Sequence, residues 1–184
     1  MYKLMYMIIV SLIFNDKLPN DVRWVRESNE YKSICHQIYN QALTNIKTEI
    51  NRNNYSLHIP NHNYAVIMDL DETVLDNSDY QVDIINKNQK FSIESWSAWV
   101  NQETAGLVPG AFEYITFLRK NNIQIIFISN RMNARLESTK NNMKKLGIHL
   151  DSDIYLLRKD RNDKKTVRRS EVYDSTGRMS IYEK

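Results

Sequence analysis

Residues 64 to 81 read YAVIMDLDETVLDNSDYQ, a mostly apolar run from Tyr64 to Met68 followed at once by Asp69, Asp71, Glu72, Asp76 and Asp79. An apolar run this short, bounded by polar residues, has the signature of a buried strand in a parallel sheet. Clustered carboxylates raise one another's pKa unless a cation offsets them. A cation, and a bound metal before any other, is therefore expected beside the end of this strand.

Working outward, Ile123 to Ile128 and Ile154 to Leu157 repeat the pattern of a buried strand. Between them, Pro109-Gly110 opens a helix through about Asn121, with Phe112, Ile115, Phe117 and Leu118 on its apolar side. Asn133 to Leu146 repeats the helical period and ends at Gly147, a suitable C-cap. Strand, helix, strand, helix, strand predicts an α/β fold: a parallel sheet with right-handed crossovers and helices on both faces. Upstream, Trp24, Val25, Ile34, Ile38, Tyr39, Ala42, Leu43, Ile46 and Ile50 recur at helical spacing, which gives an N-terminal helical extension. The Asn-rich segment NRNNYSLHIPNHN, with Pro60, reads as the loop that joins it to the core. Residues 81 to 108 show no strand pattern but carry Phe91, Trp96 and Trp99 as one face of a short helix, and read as a small inserted cap. The chain thus divides into residues 1–19, an extension with its loop over 20–63, and a core over 64–184.

A length of 184 residues and 42% hydrophobic content suit one domain with an extension. The balance of 25 Lys and Arg against 22 Asp and Glu gives +3, too slight and dispersed to argue for nucleic acid as a partner. Cys35 stands alone, which excludes an internal disulfide framework. Lys3 followed by the apolar run Leu4 to Phe14 resembles a secretory signal, too short to span a bilayer. This implies a periplasmic or secreted protein, with a buried first element in a cytoplasmic protein as the alternative, and membrane association through this segment alone. The oligomeric state is not legible.

In open α/β sheets, ligands bind outside the carboxyl ends of the strands. Asp69 and Ser129 stand at two such ends. A rigidly held Asp69 can attack phosphorus to form an aspartyl-phosphate. Asp71 can serve as acid for the leaving group and as base for water. Ser129 and its loop offer donors to phosphoryl oxygens.

This DxDxT after an apolar strand, with a strand-terminal serine about sixty residues on, resembles the haloacid dehalogenase superfamily. DLDETVLDNSDYQ, Trp96 with WV at 99–100, VPGA at 108–111, ISNR at 128–131 and KTVRR at 165–169 are, together and in this order, similar to the class C (four-aspartate) acid phosphatases, a family that includes lipoprotein nucleotidases. The resemblance implies a Rossmannoid haloacid dehalogenase-like core and hydrolysis of phosphomonoesters such as nucleoside monophosphates and aryl phosphates. It implies Asp69 as nucleophile, Asp71 as acid and base, Ser129 as phosphate ligand and a phosphate-binding lysine, Lys165 by the K-x-x-R-R spacing or Lys164 by counting from Asp160. It implies Mg²⁺ on the Asp69 carboxylate and the Asp71 backbone carbonyl. Thr73 is placed with substrate. Tyr80 and Trp96 are expected to stack an aromatic leaving group, with Phe91 in the core. Asn130 and Arg131 either contact phosphate or begin a helix. Glu72 and Asp76 are expected to brace the loop, and Asp79 to lie on the surface.

The family's GDNxxDF-type fourth motif is absent: SEVYDSTGRMSIYEK follows Arg169 and holds one aspartate, Asp174. The chain reads as truncated before that motif, with weak Mg²⁺ affinity and little activity. A catalytically inactive homologue or binding protein is the alternative.

Overall fold

A computed structural model describes residues 18–56 and 65–172. The signal-like segment, residues 57–64 with Pro60, and Asp174 lie outside the described residues. In chain order the elements are α1 (Asn20–Glu27), α2 (Asn29–Ser56), β1 (Ala65–Met68), β2 (Leu75–Asp76), α3 (Ser78–Asn86), α4 (Ile93–Gln102) and β3 (Gly106–Leu107). There follow α5 (Ala111–Lys120), β4 (Gln124–Met132), a 3₁₀ turn (Asn133–Arg135), α6 (Leu136–Lys145), β5 (Ile154–Arg158) and α7 (Lys165–Ser170).

The main sheet is parallel, in the order β1-β4-β5, with Met68 opposite Phe127 and Ile126 opposite Ile154. β4 lies in its middle, so successive residues point to opposite faces and both sets are covered. Ile125 and Phe127 face one cluster with Leu118 of α5 and Met143 of α6. Ile126 and Ile128 face another with Val172, just after α7. All four strand residues are 0% exposed, which is why this segment reads as an unbroken apolar run. The parallel sheet with helices on both faces is the α/β fold expected from the alternation of strand and helix patterns.

The extension packs on the core through Cys35, Tyr39 and Ile50. Gly110 permits this approach. Its φ is +89°, and a Cβ there would lie 3.0 Å from Tyr39 Cδ2. Tyr39 reaches past it to donate its hydroxyl to the Thr73 carbonyl, tying α2 to the carboxylate-bearing loop. Burial, with Cys35 and Tyr114 adding to it, pushes the Tyr39 phenol well above its ordinary pKa, so it remains a proton donor there.

Three elements depart from the sequence pattern. α2 continues to Ser56 through the Asn-rich stretch expected as loop from residue 51. Asparagine costs under about 1 kcal/mol in a helix, too little to end one already propagating. β4 runs past Ser129 to Met132, with a register shift between those two residues, so Asn130 and Arg131 belong to an irregular strand and not to a helix start. The insertion forms two helices, α3 and α4, rather than one. β2 and β3 close its base, pairing Leu75 with Leu107. Ser92 caps α4 by accepting the Ser95 N–H at 3.0 Å, with Ser95 returning the bond to the Ser92 backbone.

Candidate active site

β1 delivers Asp69 to the carboxyl edge of the sheet. The chain then turns tightly about Leu70, whose carbonyl accepts the N–H groups of Thr73, Val74 and Leu75 at 3.3, 2.9 and 2.8 Å. Leu70 and Val74 are fully buried, which anchors the turn, and Glu72 takes a left-handed φ of +55° to complete it. Asp69 is about a third exposed. Its Oδ1 accepts the Leu70 N–H at 2.8 Å, and its Oδ2 accepts from Lys165 Nζ. Lys164 is exposed at the cap of α7, so of the two candidate lysines Lys165 is the one beside Asp69.

Asp71 faces inward. Its Oδ1 accepts from Arg131 Nε at 2.8 Å and Asn77 Nδ2 at 3.0 Å, with Arg131 Nη2 2.8 Å away in the same ion pair. Its Oδ2 lies 3.4 Å from Ser129 Oγ. Arg131 is 2% exposed and also donates to Thr139 Oγ1 at 3.2 Å, with its guanidinium 5.7 Å from the Trp96 ring centroid. Asn77 is 0% exposed. Its amide nitrogen donates to Glu72 Oε1 at 3.0 Å as well, while its oxygen accepts from Trp99 Nε1 at 3.0 Å and Arg131 Nη2 at 3.2 Å. The cationic side chains beside these carboxylates are Lys165 and Arg131.

Ser129 is 1% exposed and accepts the Arg131 N–H at 3.2 Å. Asn130 accepts from Arg168 Nη2 at 2.9 Å. Arg168 is itself buried and bonds Asp163 Oδ1 at 2.6 Å and the Ser129 carbonyl at 3.2 Å. The phosphate-contact reading of the Arg131 guanidinium is therefore corrected, since it is enclosed among protein partners, whereas Asn130 is exposed at the end of the sheet. Thr73 is half-buried in the turn, where its carbonyl receives Tyr39. Tyr80 is also corrected as a stacking residue. It is 1% exposed, its hydroxyl shares a 2.8 Å hydrogen bond with Ser95, and Phe91, Trp96 and Trp99 pack around its ring, leaving no face for a ligand. Trp96 is half-buried, and Phe91, expected in the core, is 62% exposed. Asp76 accepts the Ser78 N–H at 2.8 Å at the start of α3, and Asp79 pairs on the surface with Arg26 of α1.

Asn77, Arg168 and Thr139 were given no role by the sequence, and Trp99 only a place on a helix face. Each is a polar or amphipathic side chain buried by pairing, which hydrophobic patterning does not register. Glu72 keeps a solvent-exposed edge. Desolvation nonetheless pushes its carboxyl above the usual range, opposed by the Asn77 hydrogen bond and reinforced by the charges of Asp71 and Asp76.

A Mg²⁺ ion takes an octahedron of oxygens, usually one or two carboxylates with waters and phosphate. Among the described residues no group of three or more His, Cys, Asp or Glu converges. Both oxygens of Asp69 are already bonded to nitrogen donors, and Asp71 is turned onto Arg131 and Asn77. One donor on each Asp69 oxygen leaves both with acceptor capacity, so the Asp69 carboxylate and the Asp71 backbone carbonyl are the groups among the described residues that would hold such an ion.

A parallel α/β sheet bearing paired aspartates after its first strand, a buried serine on the central strand and a lysine after the third defines a haloacid dehalogenase-type fold. The chain belongs to the acid phosphatases of this superfamily, subfamily IIIB, whose family model matches residues 8–181. Two solved structures of the class C acid phosphatase from Bacillus anthracis, one a crystal structure with tungstate bound, are similar to it. Each has 26% sequence identity, a TM-score of 0.71 and a match over 85% of this chain. The match spans 63% of the length of the Bacillus anthracis protein.

Proposed function

We propose that this site hydrolyses phosphomonoesters through an aspartyl-phosphate on Asp69. The observation that carries the reading is the meeting of Asp69, Lys165, Asp71 and Ser129 at the carboxyl edge of one parallel sheet. Asp69 Oδ2 attacks phosphorus as Lys165 shifts from that oxygen to the phosphoryl oxygens. The bond from phosphorus to the ester oxygen breaks, and that oxygen takes a proton from Asp71. Water then attacks phosphorus, returns a proton to Asp71 and releases phosphate together with the Asp69 carboxylate. The tungstate bound by the Bacillus anthracis protein, an oxyanion of phosphate-like charge and shape, supports a phosphate pocket here.

Half-buried Trp96 and exposed Phe91 favour nucleoside monophosphates and aryl phosphates as substrates, since aromatic leaving groups stack on such rings. Phosphatases of this superfamily generally use a divalent cation. Mg²⁺ dependence of this chain is accordingly one arm of the test. The apolar run Leu4 to Phe14 supports export, which cell fractionation of the full chain tests.

The deciding experiment is hydrolysis of p-nitrophenyl phosphate at acid pH by the purified chain, with and without Mg²⁺. Turnover abolished by Asp69→Asn is expected. Absence of turnover in both conditions overturns the reading in favour of an inactive homologue or a binding protein.

A further inference from the structure

We propose that Asn77 and Arg131 are positioning residues for proton transfer: they grip Asp71 by Oδ1 and so assign the proton-carrying role to Oδ2. This rests on the phosphatase reading of the site and goes beyond it by naming the oxygen and its holders.

A carboxylate oxygen offers about two lone pairs in its plane, and an ionised carboxylate about four acceptor positions in all. Two N–H donors on Oδ1, Arg131 Nε at 2.8 Å and Asn77 Nδ2 at 3.0 Å, fill both of its acceptor positions and leave it nothing with which to take up or release a proton. Oδ2 has Ser129 Oγ at 3.4 Å, a long and weak contact. The carboxylate is therefore asymmetric, with one oxygen saturated and the other held by a single weak contact to the serine at the strand end.

The holders are themselves held. Arg131 is fixed by Thr139, by the Asn77 oxygen and by the Trp96 face. Asn77 has one self-consistent amide orientation. Its oxygen faces two donors, Trp99 Nε1 and Arg131 Nη2, and its nitrogen faces acceptors on Asp71, Glu72 and Leu75. Trp99 comes from the insertion, Arg131 from β4 and Asp71 from the loop after β1, so Asn77 fixes three segments against one carboxylate. A general acid gains its rate from such placement.

A purely structural role and a positioning role part company on the leaving group. p-Nitrophenolate departs readily without a proton, whereas an alkoxide departs only as it is protonated. Steady-state rates of Asn77→Ala and Arg131→Lys on p-nitrophenyl phosphate and on an alkyl phosphate are compared with the wild type. The expected result is a loss on the alkyl ester roughly tenfold or more beyond the loss on the aryl ester. Equal losses on the two esters overturn the proposal. If Asn77→Ala does not fold, Trp99→Phe takes its place. It keeps a ring and removes a single donor to Asn77, and it must show the same skew at smaller size. A wild-type chain inactive on both esters sinks the phosphatase reading. The grip on Asp71 is then decided by urea unfolding of Asp71→Asn, Arg131→Lys and the double variant. Non-additive effects support it, and additive effects overturn it.

Discussion

Asp69 and Asp71 stand two residues apart and carry the same side chain, yet their surroundings are opposite. Asp69 is about a third exposed, and its charge partner is the flexible Lys165. Asp71 meets a guanidinium that is 1% exposed and fixed on every side. A lysine on a four-carbon stem can leave one oxygen for another at little cost, while an enclosed arginine holds its partner in a single geometry. On the proposed mechanism, the difference suits a carboxylate that bonds to phosphorus beside one that only passes a proton. The buried pair should govern stability, and the exposed pair should govern ligand binding.

The largest effect expected is on turnover. Asp69→Asn keeps the volume and the Leu70 contact, so circular dichroism should be unchanged while hydrolysis falls by roughly a thousandfold or more. Activity within tenfold of the wild type would remove the distinction between the two aspartates. Next comes stability. Arg131→Met leaves Asp71, Asn77 and Thr139 without their shared donor, and urea unfolding should show a loss of about 3 kcal/mol. A loss comparable to that of a surface pair would mean that the interior network is not the firmer of the two.

Lys165→Ala should give the converse. The Asp69 pair is partly exposed, so stability should change by under about 1 kcal/mol. Phosphate affinity, measured by calorimetry, should fall by about tenfold or more as a charge-assisted contact is lost. Asp69 Oδ2 would then be open to a cation, and Mg²⁺ should bind this variant more tightly than the wild type.

The smallest effect concerns Glu72. Its folded pKa is raised above the ordinary 4.5, so the folded chain holds the extra proton more tightly than the unfolded one. Its contribution is therefore greatest below that range and is lost as pH rises through 4.5 toward the raised folded value. Melting temperature followed across acid pH should show this slope, and Glu72→Gln should flatten it.

The strands were legible because both faces of β4 are covered: Ile125 to Ile128 cannot alternate with polar residues and still be buried. The aspartate pair and Ser129 were legible because a strand end marks a ligand edge. Arg131 and Asn77 were not, since their burial depends on partners brought from elsewhere in the chain, and nothing local distinguishes them from a turn residue and a surface cation. Tyr80 misled for a related reason. An aromatic near the motif reads equally as a ligand platform or as core, and the Ser95 hydroxyl that draws it inward is fifteen residues away in sequence.

The lengths of chain between bonded partners bear on the order in which the site is assembled, and Asn77 closes the shortest of three such loops. Its bond to Trp99 spans 22 residues, the bond from Arg131 to Asp71 spans 60, and the bond from Lys165 to Asp69 spans 96. Closing loops of such length is slow compared with forming the helices between them. Helical signal should therefore recover early during refolding, while the ability to cleave an ester returns only when the longest of these closures is complete.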